Sequence, residues 1–157
     1  MYASKTLHWV GKYEFIDRVS MNTLVFILFF FWYGWAMKIV IVASGSLIPT
    51  KKVISLINDA DMVIAADGGA VHLHEMDITP NVIIGDLDSI PQKTLAFFQA
   101  RQTPVITHPP QKNQTDMELC VDYAVKHGAS QIIFLGGTGH RLDHTLANIF
   151  LLRRLAD

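Results

Sequence analysis

Five short apolar runs, each followed by a helix-like stretch, constrain this chain more than any other feature. They are Lys38-Ile39-Val40-Ile41-Val42-Ala43, Met62-Val63-Ile64-Ala65-Ala66, Asn81-Val82-Ile83-Ile84, Val105-Ile106-Thr107 and Gln131-Ile132-Ile133-Phe134-Leu135. Runs this short and this continuously apolar read as strands buried on both faces. Between them, helices are expected from about Thr50 to Asn58, from Gly68-Gly69 to about Glu75, and from Pro91 to about Ala100. Two more are expected from Thr115 to His127, with Gly128 as the stop, and from about Asp143 onward. The alternation predicts an α/β fold, a doubly wound and mostly parallel sheet with helices on both faces, Rossmann-like in architecture.

In such a sheet, the loops that leave the carboxyl ends of the strands share one rim, and ligands bind there. Asp67 follows the second strand, Asp86 and Asp88 the third, Asp116 the fourth and Asp143 the fifth. Five aspartates from four connections are therefore expected to converge on one crevice. Uncompensated, they would repel and shift one another's pKa values. A divalent cation removes that repulsion, and a metal–polyphosphate complex is a natural occupant.

Asp86-Leu87-Asp88 is the densest part of the set. On extended backbone, side chains at i and i+2 share a face roughly 6–7 Å apart, so the pair could hold one Mg²⁺ or two close together. Each piece also has a plain structural reading. Asp67-Gly68-Gly69 can be only a turn, and Thr115-Asp116-Met117-Glu118 is a capping box. The box does not explain the preceding loop, His108 to Gln114, where Lys112 could meet a phosphate. Gly136-Gly137-Thr138-Gly139-His140-Arg141 has phosphate-loop character without a dinucleotide fingerprint. Arg141 is either the ion-pair partner of Asp143 or a phosphate clamp. His140 and His144 read as structural or solvated, and His72 and His74 carry no assignment.

A formal net charge of −1 gives no electrostatic footprint for nucleic acid. The seven histidines form no zinc spacing with the single cysteine, Cys120, which falls in an apolar helical pattern and reads as core. One cysteine excludes an intrachain disulfide and suits a reducing, cytoplasmic setting. Residues 1–36 differ from the rest. Val19 to Met37 runs nineteen residues without a charge, enough as a helix for about 28 Å. A membrane segment there is one reading, and Lys5, Lys12 and Arg18 supply a positive flank. The other is an apolar leader outside the fold, with Met37 as the functional start, because a strand begins directly after it. The domain is accordingly expected over 37–157.

Four ordered motifs carry a family resemblance: Ala66-Asp67-Gly68-Gly69-Ala70, Gly85-Asp86-Leu87-Asp88-Ser89-Ile90, Thr115-Asp116-Met117-Glu118-Leu119, and Gly136-Gly137-Thr138-Gly139-His140-Arg141-Leu142-Asp143-His144. Together they closely resemble thiamine pyrophosphokinase over about residues 37–157. The resemblance implies Mg²⁺-dependent transfer of a diphosphate from ATP to the thiamine hydroxyl, with release of AMP, by a cytosolic homodimer. It also implies that Asp67, Asp86, Asp88, Asp116 and Asp143 form the metal and diphosphate centre, with the first four as metal ligands. Ser89, Lys112, Thr115 and Arg141 would contact the nucleotide.

The chain departs from the family pattern at Asn113, where members usually carry an aspartate; asparagine keeps an oxygen ligand and loses its charge. Family members also continue into a β-sandwich domain that helps bind thiamine, and that domain is not expected within these residues. Two other readings therefore stand beside the enzyme: a remnant that binds Mg-ATP without turnover, and a diphosphokinase for another alcohol such as a hydroxymethylpterin.

Overall fold

The structure is a computed structural model and describes residues 37–109 and 113–156. The expectations for residues 1–36, and for Lys112, lie outside the described residues. Five strands, β1 (Met37–Val42), β2 (Met62–Ala66), β3 (Val82–Gly85), β4 (Val105–Thr107) and β5 (Ala129–Leu135), alternate with five helices. These are α1 (Lys51–Asn58), α2 (Gly69–Glu75), α3 (Gln92–Ala100), α4 (Asp116–Lys126) and α5 (Leu142–Ala156). All four strand pairings are parallel and the order is β4-β3-β2-β1-β5. The predicted doubly wound sheet is thus the observed one.

Strand geometry divides the core. Alternate residues of β1 face opposite sides, so Ile39 and Ile41 join one apolar cluster while Val40 and Val42 join the other. The first cluster is closed by Met117, Cys120, Val121 and Ala124 of α4 and Leu151 of α5. The second is closed by Ile57 of α1, Ala70 and Leu73 of α2, and Phe98 of α3. Cys120 is a buried core thiol, as its pattern predicts. Phe98 is fully buried, and burial of such a side chain contributes about 3 kcal/mol.

Helix ends follow local chemistry. Thr50 caps α1 by accepting from the Val53 amide at 3.3 Å. The predicted capping box of α4 forms: the Thr115 amide donates to Glu118 Oε2 at 2.8 Å, and the Glu118 amide donates to Thr115 Oγ1 at 3.2 Å. Gly128 follows α4 at φ +83°, a left-handed conformation in which glycine avoids the strain of a Cβ. Pro91 stands one residue earlier than expected, as the N-cap of α3 rather than in its first turn.

Strand order reverses at β1. Its chain neighbour β2 lies on one side and β5, reached by a crossover through α4, lies on the other. This switch point opens a crevice beyond the carboxyl ends of the strands.

Candidate functional site

A cleft of about 810 Å³ occupies that position. Its walls come from the loop after β1, Ser44–Ser46, and from the strand-end positions that the sequence singled out: Asp67 after β2, Asp86, Asp88 and Ser89 after β3, Thr115 and Asp116 at the start of α4, and Gly136–Arg141 after β5.

Three of the five aspartates meet. Asp67, Asp86 and Asp116 each offer a carboxylate oxygen, and the three oxygens lie within 4.8 Å of one another. Their placement is local. Asp67 sits at φ +43°, in the left-handed region that aspartate tolerates better than most residues. Its amide donates to the Ile84 carbonyl at 2.8 Å, which fastens the turn after β2 to β3. Asp116 is fixed because it follows the Thr115 cap, and Met117 beside it is buried in the core.

Asp67 is the electrostatically exceptional member. It is 6% exposed, and its Oδ1 is buried without a hydrogen-bond partner. Burial pushes its pKa above the ordinary 3.8, the Ser89 hydroxyl and Gly68 amide oppose that shift, and the charges of Asp116 and Asp86 add to it. A buried, unpartnered oxygen on a carboxylate that stands with two others is costly unless something positive completes it. The donors are all hard oxygens, the set suited to Mg²⁺, Mn²⁺ or Ca²⁺ rather than to zinc or copper.

The remaining two aspartates are arranged differently. Leu87 adopts φ +68°, so the backbone between Asp86 and Asp88 is not extended and the shared face expected from i, i+2 spacing does not form. Instead the Asp88 amide donates to Asp86 Oδ1 at 3.3 Å, and the Asp88 carboxylate accepts from Ser89 Oγ at 2.7 Å. Asp88 lines the cleft, exposed, beside the three-carboxylate group. Asp143 stands in the first turn of α5 and is paired with Arg141 at 2.6 Å. Arg141 and its hydrogen bond hold the Asp143 carboxyl below the usual range, and Asp143 in turn raises the Arg141 pKa. Both side chains are exposed, and Arg141 lines the cleft.

Sequence reasoning passed over the contacts that hold the loop after β1 and helix α5 to the glycine-rich loop. The Ala43, Gly45 and Ser46 amides donate to the carbonyls of Leu135, Gly136 and Thr138 at 2.8, 2.9 and 2.7 Å, zipping the loop after β1 to the loop after β5. A Cβ on Gly45 would collide with the Gly136 and Thr138 carbonyl oxygens, so the approach requires glycine. Asn148, buried in α5, donates from Nδ2 to the Gly137 carbonyl at 2.7 Å, and Thr145 Oγ1 accepts from the Gly139 amide at 3.2 Å. Ser44-Gly45-Ser46 could have been found because it leaves a strand on the functional rim. Asn148 had no comparable signal.

A family description, "Thiamin pyrophosphokinase, catalytic domain", matches residues 53–157. The chain belongs to this family. Its motifs therefore identified the family correctly. Among curated proteins it is similar to thiamine pyrophosphokinase of Bacillus subtilis, at 35% identity over 89 residues that make up 57% of this chain and 42% of that protein. It is also similar to thiamine pyrophosphokinase 2 of Arabidopsis thaliana, at 34% identity over 50% of this chain and 32% of that protein. The chain thus spans less than half the length of these two relatives.

Among solved structures, thiamine pyrophosphokinase from Bacillus subtilis matches 74% of this chain and 55% of its own length, with a TM-score of 0.65 at 33% identity. The enzyme from Geobacillus thermodenitrificans gives 77%, 56%, 0.64 and 34% for the same quantities. Yeast thiamin pyrophosphokinase shares the fold with a TM-score of 0.69 at 20% identity. Among the described residues, no helix is long and apolar enough to cross a membrane.

Proposed function

We propose that the cleft binds ATP with Mg²⁺ and transfers its terminal diphosphate to the hydroxyl of thiamine, giving thiamine diphosphate and AMP. The observation that supports this reading is Asp67, whose buried Oδ1 has no hydrogen-bond partner and whose carboxylate stands with those of Asp86 and Asp116, in a chain of the thiamin pyrophosphokinase catalytic-domain family. Asp67, Asp86 and Asp116 would hold the cation, with Asp88 facing the same space from the cleft wall. A Mg²⁺ ion held by these residues would supply positive charge to offset that of the phosphates.

The protein's own contribution is placement. In-line attack by the thiamine oxygen forms a bond to the β-phosphorus, breaks the bond from that phosphorus to the oxygen bridging to the α-phosphate, and leaves AMP with that oxygen. Positioning and charge neutralisation govern such a step more than covalent catalysis does. The backbone of Gly136–Gly139 and the Arg141 guanidinium suit the polyphosphate, and the Ser89 and Thr115 hydroxyls are within the same walls. Lys112 is assigned to the nucleotide by its motif. One of the cleft carboxylates receives the hydroxyl proton.

A cytoplasmic homodimer is proposed with it, on the family's pattern. The exposed apolar side chains of Leu146, Ile149, Phe150 and Leu152 on α5 support association with a second copy or a further domain. The test is Mg²⁺-ATP binding by calorimetry in the wild type and in Asp86→Asn and Asp116→Asn. Loss in both variants with folding intact is expected. Unchanged affinity in both would remove the metal-site assignment.

A further inference from the structure

The Gly45 peptide is held on both sides. Its amide donates to Gly136, as described, and its carbonyl accepts a hydrogen bond from His72 Nε2 at 2.8 Å. A carbonyl can only accept, so Nε2 carries the proton. His72 belongs to α2, which begins two residues after Asp67. One side chain therefore ties the segment bearing the buried carboxylate to the loop after β1, and through that loop to the glycine-rich loop after β5. Both sides of this tie line one cleft. Nothing else in the described hydrogen bonds joins α2 to the Ser44–Ser46 loop.

We propose that His72 is a positioning residue that sets the separation between the Asp67 wall and the glycine-loop wall, and thereby the affinity for the nucleotide. It contacts neither the carboxylates nor the space between them and acts through Gly45. The inference rests on the nucleotide reading of the cleft, but the tie itself can be tested without nucleotide.

Glutamine is the informative substitute. Its Nε2 lies as many bonds from Cα as the histidine Nε2, so His72→Gln keeps a donor at similar reach, whereas His72→Leu removes it. In the nucleotide-free full chain, His72→Leu should speed amide hydrogen exchange at Gly45 and Ser46, and His72→Gln should restore protection. Calorimetry should show the Mg-ATP Kd rising about fivefold in His72→Leu, the scale of one neutral hydrogen bond. The Gln variant should return to within about twofold of wild type. Turnover at saturating ATP should change less than affinity.

Wild-type Mg-ATP affinity in His72→Leu would overturn the proposal, as would an affinity loss that Gln does not restore. Should His72→Leu fail to fold, the Gln variant alone decides: a weakened Kd there contradicts the proposal. If the wild type binds no Mg-ATP, the nucleotide reading fails, while the exchange rates still report whether His72 holds the loop.

Discussion

Asp67 occupies the space that a side chain on Gly85 would need: a Cβ at Gly85 falls 2.7 Å from the Asp67 Cβ. The glycine that ends β3 is therefore the complement of the buried carboxylate that follows the neighbouring strand β2. Gly85→Ala should displace Asp67 and cost about 1–3 kcal/mol of stability, the usual scale for an overpacked site. Denaturant unfolding with and without Mg-ATP checks this. The variant should fold less stably and should also lose most of the stabilisation that Mg-ATP gives the wild type.

Asp67→Asn should separate stability from function. Asparagine has nearly the same shape and tolerates the left-handed backbone, yet carries no charge into the acidic cluster. Without metal, the variant should be more stable than the wild type at pH 7 by on the order of 1 kcal/mol. The sign with pH follows from the raised pKa. Stability that the neutral Asp67 carboxyl supplies is complete below its ordinary value of 3.8 and is lost as pH climbs through the raised folded-state value. The gap between variant and wild type should open across that window. Mg²⁺ should close it by stabilising the wild type alone, and should do so less well as protons compete at lower pH. Melting curves over a pH series, with and without Mg²⁺, measure each part.

Arg141 offers the opposite dissociation. Its 2.6 Å pair with Asp143 is exposed on both sides, and such pairs add little to stability. Arg141→Ala should leave the melting temperature unchanged and weaken Mg-ATP binding about tenfold, the scale of a hydrogen bond to a charged group. Arg141→Lys should recover only part of the loss, because a point charge does not reproduce the guanidinium fork.

Thr115→Ala removes the capping hydroxyl that receives the Glu118 amide. Caps of this kind contribute about 1 kcal/mol, so the unfolding midpoint should fall accordingly. Nucleotide affinity should fall as well, because the capped turn positions Asp116. Thr115→Ser, which keeps the acceptor, should retain both properties; circular dichroism melts and calorimetry compare the three chains.

What the sequence disclosed depended on the range of each interaction. Strand periodicity, the Thr115 capping box and the Gly128 stop are written in neighbouring residues, so they were legible to within one or two positions. The convergence of Asp67, Asp86 and Asp116 was legible because parallel topology alone puts strand-end loops on one rim. The geometry of Asp88 was not, since it turns on the left-handed conformation of Leu87, a residue type with no preference for it. The bonds from His72 to Gly45 and from Asn148 to Gly137 were also hidden. They span 27 and 11 residues, and nothing local to either side chain announces its partner.

The most direct measurement is product analysis with the purified full chain, ATP, thiamine and Mg²⁺. The account predicts AMP and thiamine diphosphate in equal amounts, both abolished by chelation and by Asp86→Asn. ADP with thiamine monophosphate, or AMP release indifferent to thiamine, would contradict diphosphate transfer to thiamine at this cleft.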